Sequence, residues 1–190
     1  MKKCILTCVC FFVVVCSLFA VTDYTIRSGY TLSNSVVYGF NPMRVSSSIE
    51  WMYPVRGKNV THGFGFQVML DFKDPENTIV PCTGYVFNYG WDRIQFNMLC
   101  GITGFTECNH DEYGNPYHEN WTGIGVRLGG LFYFDDSATY GIALDTTSSL
   151  CMELEDDVRF DYRISATVSG VLTLRGWSID ERKNYEGGIR

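Results

Sequence analysis

Apolar and polar positions alternate along most of this chain with a period of two. In Thr61–Phe72 one set is Phe64, Phe66, Val68, Leu70 and Phe72, and the other is Gly63, Gly65, Gln67, Met69 and Asp71. Such a period predicts a strand with two unlike faces. About 9–11 residues of it also suffice for a tilted strand to cross a bilayer. The question for the remaining chain is whether the apolar face looks inward at a core or outward at lipid.

The same alternation recurs over Asp23–Leu32, Val45–Tyr53, Cys82–Trp91, Ile94–Ile102, Thr122–Phe134, Tyr140–Asp145 and Val158–Val168. Leu150–Leu154 reads as a short strand or part of a loop, and Val171–Trp177 as a further strand. Outside the N-terminus no helix-period pattern occurs. The pattern therefore predicts an all-β meander of eight to ten strands. The longer connections are Phe40–Arg44, Lys73–Thr78 and Gly104–Asn120, the last being the longest loop. The short ones are Arg56–Asn59, Trp91–Arg93 and Asp135–Ser137. Short turns on one side and longer loops on the other are the mark of a transmembrane up-and-down barrel.

Two architectures share this pattern. A soluble secreted ligand-binding barrel of lipocalin type buries the apolar face. A membrane barrel shows it to lipid and keeps polar residues inside. Three features favour the second. Beyond the N-terminal segment the only lysines are Lys58, Lys73 and Lys183, all in turns or the tail, whereas a water-facing sheet normally carries lysine. The less apolar face is rich in glycine (Gly63, Gly65, Gly84, Gly90, Gly101, Gly123, Gly125, Gly129, Gly141), which leaves room inside a narrow barrel for longer neighbours. Those neighbours are Arg27, Glu50, Gln67, Asp71, Arg93, Arg127, Asp145, Arg159, Asp161 and Arg163, whose mixed signs suit a paired polar plug lining the lumen. Finally, Tyr24, Trp51, Tyr53, Phe72, Tyr89, Trp91, Phe132 and Phe134 gather near strand ends, the level of a bilayer interface.

The N-terminus, MKKCILTCVCFFVVVCSLFA, has a basic start, an apolar run from Ile5 to Phe19 and a cleavage site after Ala20: a secretory signal peptide. An uncleaved anchor and a lipoprotein signal using Cys16 are the alternatives. Cleavage leaves 13 basic against 21 acidic residues, a net charge of −8. That acidity excludes a general nucleic-acid binder. The expected division is a signal at 1–20, a barrel at 21–178 and a charged tail at 179–190. Cys82, Cys100, Cys108 and Cys151 remain, with three disulfide pairings open; no CxxC spacing suggests a zinc knuckle. Cys100, on an apolar strand face, reads as a small buried thiol.

With its signal peptide, its GFGFQV and GIGVRLGGLFYF strands and its alternating loop lengths, the chain resembles the small bacterial outer-membrane β-barrels of the OmpX, OmpW and Opa kind. Its cysteine-bearing signal is similar to those of spirochaete envelope proteins. The resemblance implies an outer-membrane location, assembly by the barrel-insertion machinery, and loops that meet host or environmental ligands. Such barrels usually end on an aromatic residue, whereas this chain ends Glu186-Gly187-Gly188-Ile189-Arg190; either Trp177 serves with a tail appended or assembly differs.

Candidate chemistry is sparse. His110, Asp111, Glu112, His118 and Glu119, with Cys108, offer zinc or copper donors in the long loop, at a spacing that matches no known site. They read instead as exposed-loop residues. His62 starts a strand without an evident partner. Asp161, Arg163 and Arg159 suggest ion pairs rather than an acid/base pair, and neither a GxSxG turn nor a phosphate loop occurs. The reading is an outer-membrane barrel without catalytic residue, metal or cofactor, acting at the surface through its loops. A narrow channel for small solutes is the alternative within that architecture, conceivable at ten strands and doubtful at eight.

Overall fold

The computed structural model describes residues 23–55, 59–71, 78–91, 93–110, 113–153 and 158–174. They form eight strands: β1 Asp23–Ser35, β2 Gly39–Pro54, β3 Val60–Asp71, β4 Thr78–Trp91, β5 Ile94–His110, β6 Pro116–Tyr133, β7 Tyr140–Glu153 and β8 Phe160–Leu174. Each is antiparallel to the next, and β8 closes onto β1 from Tyr24↔Leu174 to Ser35↔Arg163. A closed eight-stranded up-and-down barrel has no sheet edge along its wall, and its interior is just wide enough for side chains to fill.

The strand count resolves at eight, because two expected strands are continuations. Leu150–Leu154 falls largely within β7, and Val171 onward extends β8 to Leu174. Two expected loops are strand as well. Phe40–Arg44 belongs to β2, the turn being Val36–Tyr38. Most of Gly104–Asn120 is a ladder that runs without a break from Gly104↔Thr122 to His110↔Pro116. Patterning missed it because its residues are polar on both faces near the tip. Pro81, which lacks an N–H, sits where the ladder slips between Val80 and Thr83, the place a sheet tolerates it.

Alternation decides the faces. On β3, Phe64 is 64% exposed and Phe66 41%, while Gln67 between Phe66 and Val68 is 2% exposed. The apolar stripe looks out and the polar one looks in. Apolar side chains are not excluded from the lumen, however. Leu131, Tyr133, Ala138, Ala143 and Val171 pack together toward the short-turn end. Met52, Cys82, Val86 and Leu99 form a second group, and Met69, Ile79, Phe105, Trp121 and Cys151, with Tyr38 against them, a third toward the opposite end. Glycine provides the clearance at Gly129, where a Cβ would lie 2.0 Å from Asp145 Oδ1.

The β6–β7 connection, 134–139, is built around Asp135. Its carboxylate accepts the backbone N–H of Thr139 at 2.8 Å and of Tyr140 at 2.9 Å, and its carbonyl accepts that of Ala138 at 3.0 Å. Ala138 consequently adopts a φ of 49°, in the left-handed region. The N–H groups of Tyr140 and Thr139 hold the Asp135 carboxyl below its ordinary pKa. A carboxylate with a lowered folded-state pKa adds stability above its unfolded value, about 4 for Asp. That contribution is lost as pH falls through the folded value. Urea unfolding of the wild type and D135N should therefore show a stability gap at pH 7 that closes as pH drops below about 4; a gap independent of pH would refute the assignment.

Candidate functional site: the lumen and its mouth

The middle of the lumen is an ion layer contributed by five strands. Arg27 of β1 donates to Glu50 of β2 at 3.0 Å and to Asp145 of β7 at 2.9 Å. Arg127 of β6 donates to the same Glu50 and, at 2.9 Å, to Asn97 of β5. Arg27, Glu50 and Arg127 are at most 2% exposed. Two guanidiniums and two carboxylates leave this layer neutral. Desolvation of such charges costs several kcal/mol each and is offset only by full pairing.

Toward the long-strand end lies a second ion layer. Arg163 of β8 donates to Glu107 of β5 at 2.8 Å and to Asp161 at 3.0 Å, while Arg44 of β2 reaches Glu107 at 3.4 Å. Ser35 and the backbone N–H of Val37 bind Asp161 at 2.8 and 3.1 Å, tying the β1–β2 turn to β8. The Arg163 guanidinium lies over the Phe105 ring, 3.6 Å from its centroid, with Tyr38 on another side at 5.3 Å. Stacked aromatics finish the closure, with Phe105 and Trp121 5.4 Å apart and 10° from parallel.

Above this sits the mouth. Arg159, on the connection before β8, holds Glu119 of β6 at 2.7 Å and Glu153 of β7 at 2.8 Å, 5.7 Å from the Trp121 ring centroid. Tyr38 donates its hydroxyl to Glu119 and accepts Trp121 Nε1–H at 3.0 Å. Burial and the adjacent Glu119 carboxylate push the Tyr38 phenol well above its usual range.

Of the residues expected in the lumen, Arg27, Glu50, Gln67, Arg127, Asp145, Asp161 and Arg163 are all buried. Asp71 lies opposite Arg44 in the β2–β3 register; its side-chain surroundings fall outside the described residues. Arg93 is a correction. It sits in the β4–β5 turn, 56% exposed, paired with Asp136 across the short-turn end. Two residues beyond Trp91, it follows the turn rather than the alternation. Arg159 is a second correction, because it lies at the mouth with its side chain 47% exposed.

Glu119 corrects the loop reading. It is 6% exposed on the inner face of β6, because the ladder carries the alternation past Trp121. His118 is exposed on the other face, opposite Cys108, and His110 ends β5 opposite Pro116. Asp111 and Glu112 lie outside the described residues. Among the described residues no three His, Cys, Asp or Glu side chains gather as a metal site. His62 has ring neighbours on the outer face, Tyr53 at 6.4 Å and Tyr85 at 5.9 Å. The four cysteines among the described residues are free thiols; Cys82 and Cys151 are buried, and Cys100 is half-buried on the outer face. Sequence reading missed Glu107, Phe105, Trp121 and Tyr38, the first two because their segment read as loop. The available signal was the alternation Thr103, Phe105, Glu107 in register with Glu119, Trp121, Gly123.

Comparison with solved structures places this geometry. The chain is similar to Neisserial surface protein A (TM-score 0.53, 11% identity, 81% of this chain and 96% of that one). It is similar to Ail, the attachment invasion locus protein of Yersinia pestis (0.52, 9%, 81% and 99%). It is also similar to the N-terminal β-barrel domain of Pseudomonas aeruginosa OprF (0.51, 11%, 80% and 98%). The chain has the fold of the small outer-membrane β-barrels. No family model matches it, and no curated protein sequence matches it.

Glu50 is the keystone of this barrel's ion layer. Replacing it by Ala leaves Arg27 and Arg127 buried with Asp145 as their remaining carboxylate. E50A should lose about 3–5 kcal/mol in urea unfolding of the refolded barrel. A loss below about 1 kcal/mol would show that the layer does not hold the wall together.

Proposed function

We propose that this chain is exported by the signal at 1–20, inserted into an outer membrane by the barrel-insertion machinery, and acts there without catalysis as a surface-interaction protein. The observation that carries the reading is the inverted barrel. Around the wall the outward residues are apolar, as in Phe64, Phe66, Leu70, Ile102, Ile124, Val126, Leu128, Ile142, Leu144 and Val168, while charge is buried inside. Two pairs of hydroxyls on the outer face bond each other: Ser28 with Ser47 at 3.2 Å, and Ser148 donating to Tyr162 at 2.7 Å. Pairing of that kind is what hydrocarbon demands, since it supplies no hydrogen bonds of its own.

The β5–β6 hairpin supports a surface role. Its outward residues are apolar up to Ile102 and Ile124 and then become Thr106, Cys108, His118 and Asn120. It continues past its last pairs with β4, at Thr78↔Thr106, and with β7, at Trp121↔Glu153. On this reading it rises out of the bilayer and presents residues 107–120 to a host or environmental ligand. Two of the barrels it resembles in fold are a surface protein and an attachment invasion locus protein. The two ion layers and the stacked Phe105 and Trp121 oppose the channel reading, since they fill the lumen at successive levels.

In a detergent phase partition the native protein should enter the detergent phase; recovery from the aqueous phase would overturn the membrane reading. Phe66→Arg sharpens the test. On a lipid face the substitution should cost about 2–4 kcal/mol in vesicles, against less than about 0.5 kcal/mol on a water-facing surface. Planar bilayers should register no steady conductance from the refolded wild type.

A further inference from the structure

We propose that the β5–β6 hairpin carries a zinc-binding site formed by Cys108, His110 and His118 on its outer face. The inference deepens the surface-interaction reading by naming a ligand for the hairpin, and it rests on that reading only for access from the medium.

The argument begins with register. Cys108 and His118 lie on opposite sides of the hairpin tip, and the ladder sets them directly across from each other. Both occupy outward positions, Cys108 half-buried and His118 exposed, while Glu107 and Glu119 beside them are buried on the inner face. Opposed residues on one face of an antiparallel pair have Cβ atoms about 4.5–5.5 Å apart. The outward pair one step nearer the barrel shows that side chains on this ribbon meet: Thr106 Oγ1 donates to Asn120 Oδ1 at 3.0 Å.

His110 is the third donor. It ends the ladder opposite Pro116, two residues beyond Cys108 and so on the same face of the pleat. Its side chain lies outside the described residues. Two donors at i and i+2 on one strand, with a third on the adjacent strand opposite one of them, form a triangle above the sheet. A zinc ion can sit within it, because Zn–S is about 2.3 Å and Zn–N about 2.0–2.1 Å. The spacing along the chain concealed this arrangement, since only pairing across the ladder turns it into a triangle. Pro116 adds no side-chain donor, so the set stops at three and leaves a fourth position for water or a partner's donor.

The donor set selects the ion. Magnesium and calcium take oxygen ligands and make no use of a thiolate with two imidazoles. Zinc accepts that mixture and brings no geometric preference of its own, so the ribbon can set the angles. Cys108 is a thiol rather than half of a disulfide. The surroundings leave room for coordination. The last pair of β5 with β4 is Thr78↔Thr106, and the last of β6 with β7 is Trp121↔Glu153, so among the described residues no third strand pairs beside Cys108 or His118.

The test is a Zn²⁺ titration of the refolded full chain in micelles, under a non-chelating phosphine reductant, read by competition with a chromophoric zinc indicator. The wild type should bind a single equivalent. C108S, H110A and H118A should each weaken binding by more than the roughly 10–100-fold typical of losing an outer-shell partner. H62A, which removes the histidine on the barrel wall, should leave the affinity unchanged. Co²⁺ in place of Zn²⁺ should give a thiolate-to-cobalt charge-transfer band that C108S abolishes, a signature that carboxylates such as Asp111 and Glu112 cannot produce. Failure to bind an equivalent of zinc, an affinity that any of the three substitutions leaves unchanged, or a cobalt complex without the sulfur band overturns the proposal. Should a histidine variant not refold, as judged by near-UV circular dichroism, the asparagine variant at that position takes its place with the same expectation. The titration and the phase partition fail separately. A chain that binds zinc but stays in the aqueous phase defeats the membrane reading alone, and one that enters detergent without binding zinc defeats the site alone.

Discussion

A barrel of eight strands has room inside for side chains and little else, and this one fills that room with paired charge. Glu50 lies between Arg27 and Arg127, and Asp145 holds Arg27 from β7, two strands away. These contacts bind β1, β2, β6 and β7, with β5 joined through Asn97. Neighbouring strands are already tied by their ladders; the ion layer adds ties across the lumen, which no ladder can make. The arrangement works only as a whole, because each ion has given up its water and depends on the others for compensation. Glycine is its steric counterpart: at Gly129 a methyl group would occupy the place of the Asp145 carboxylate.

The outer wall follows from the opposite requirement. A face that meets hydrocarbon must present apolar surface and leave no hydrogen-bonding group unsatisfied. Closure of β8 onto β1 satisfies the backbone along the wall, and Ser28 with Ser47 and Ser148 with Tyr162 satisfy hydroxyls on its surface. Such a protein turns the usual distribution inside out. The apolar groups in the lumen, such as Leu99 and Leu131, form small separate clusters rather than one continuous core.

Function, on this view, concentrates at the end where β5 and β6 outrun their neighbours. There the alternation that elsewhere separates lipid from lumen separates an exposed face, with His118, from an inward one, with Glu119 and Trp121.

A single period of two determined much of this. It placed the strands, put Phe64, Phe66, Val68 and Leu70 on one face, and assembled Arg27, Glu50, Arg127, Asp145, Asp161 and Arg163 on the other. The near-absence of lysine then showed which face was outside, because the solvent of each face is written in its composition. Tertiary structure alone decided where alternation stopped and what each charge met. Arg93 and Arg159 keep the right residue type for a lumen but lie at its ends. Glu119 and Phe105 looked like loop and proved to be wall, since cross-strand pairing extends a strand through residues whose own pattern is weak. Partners such as Arg27 and Asp145, 118 positions apart, meet only because the barrel closes. Periodicity is local and legible residue by residue; closure is a property of all eight strands at once.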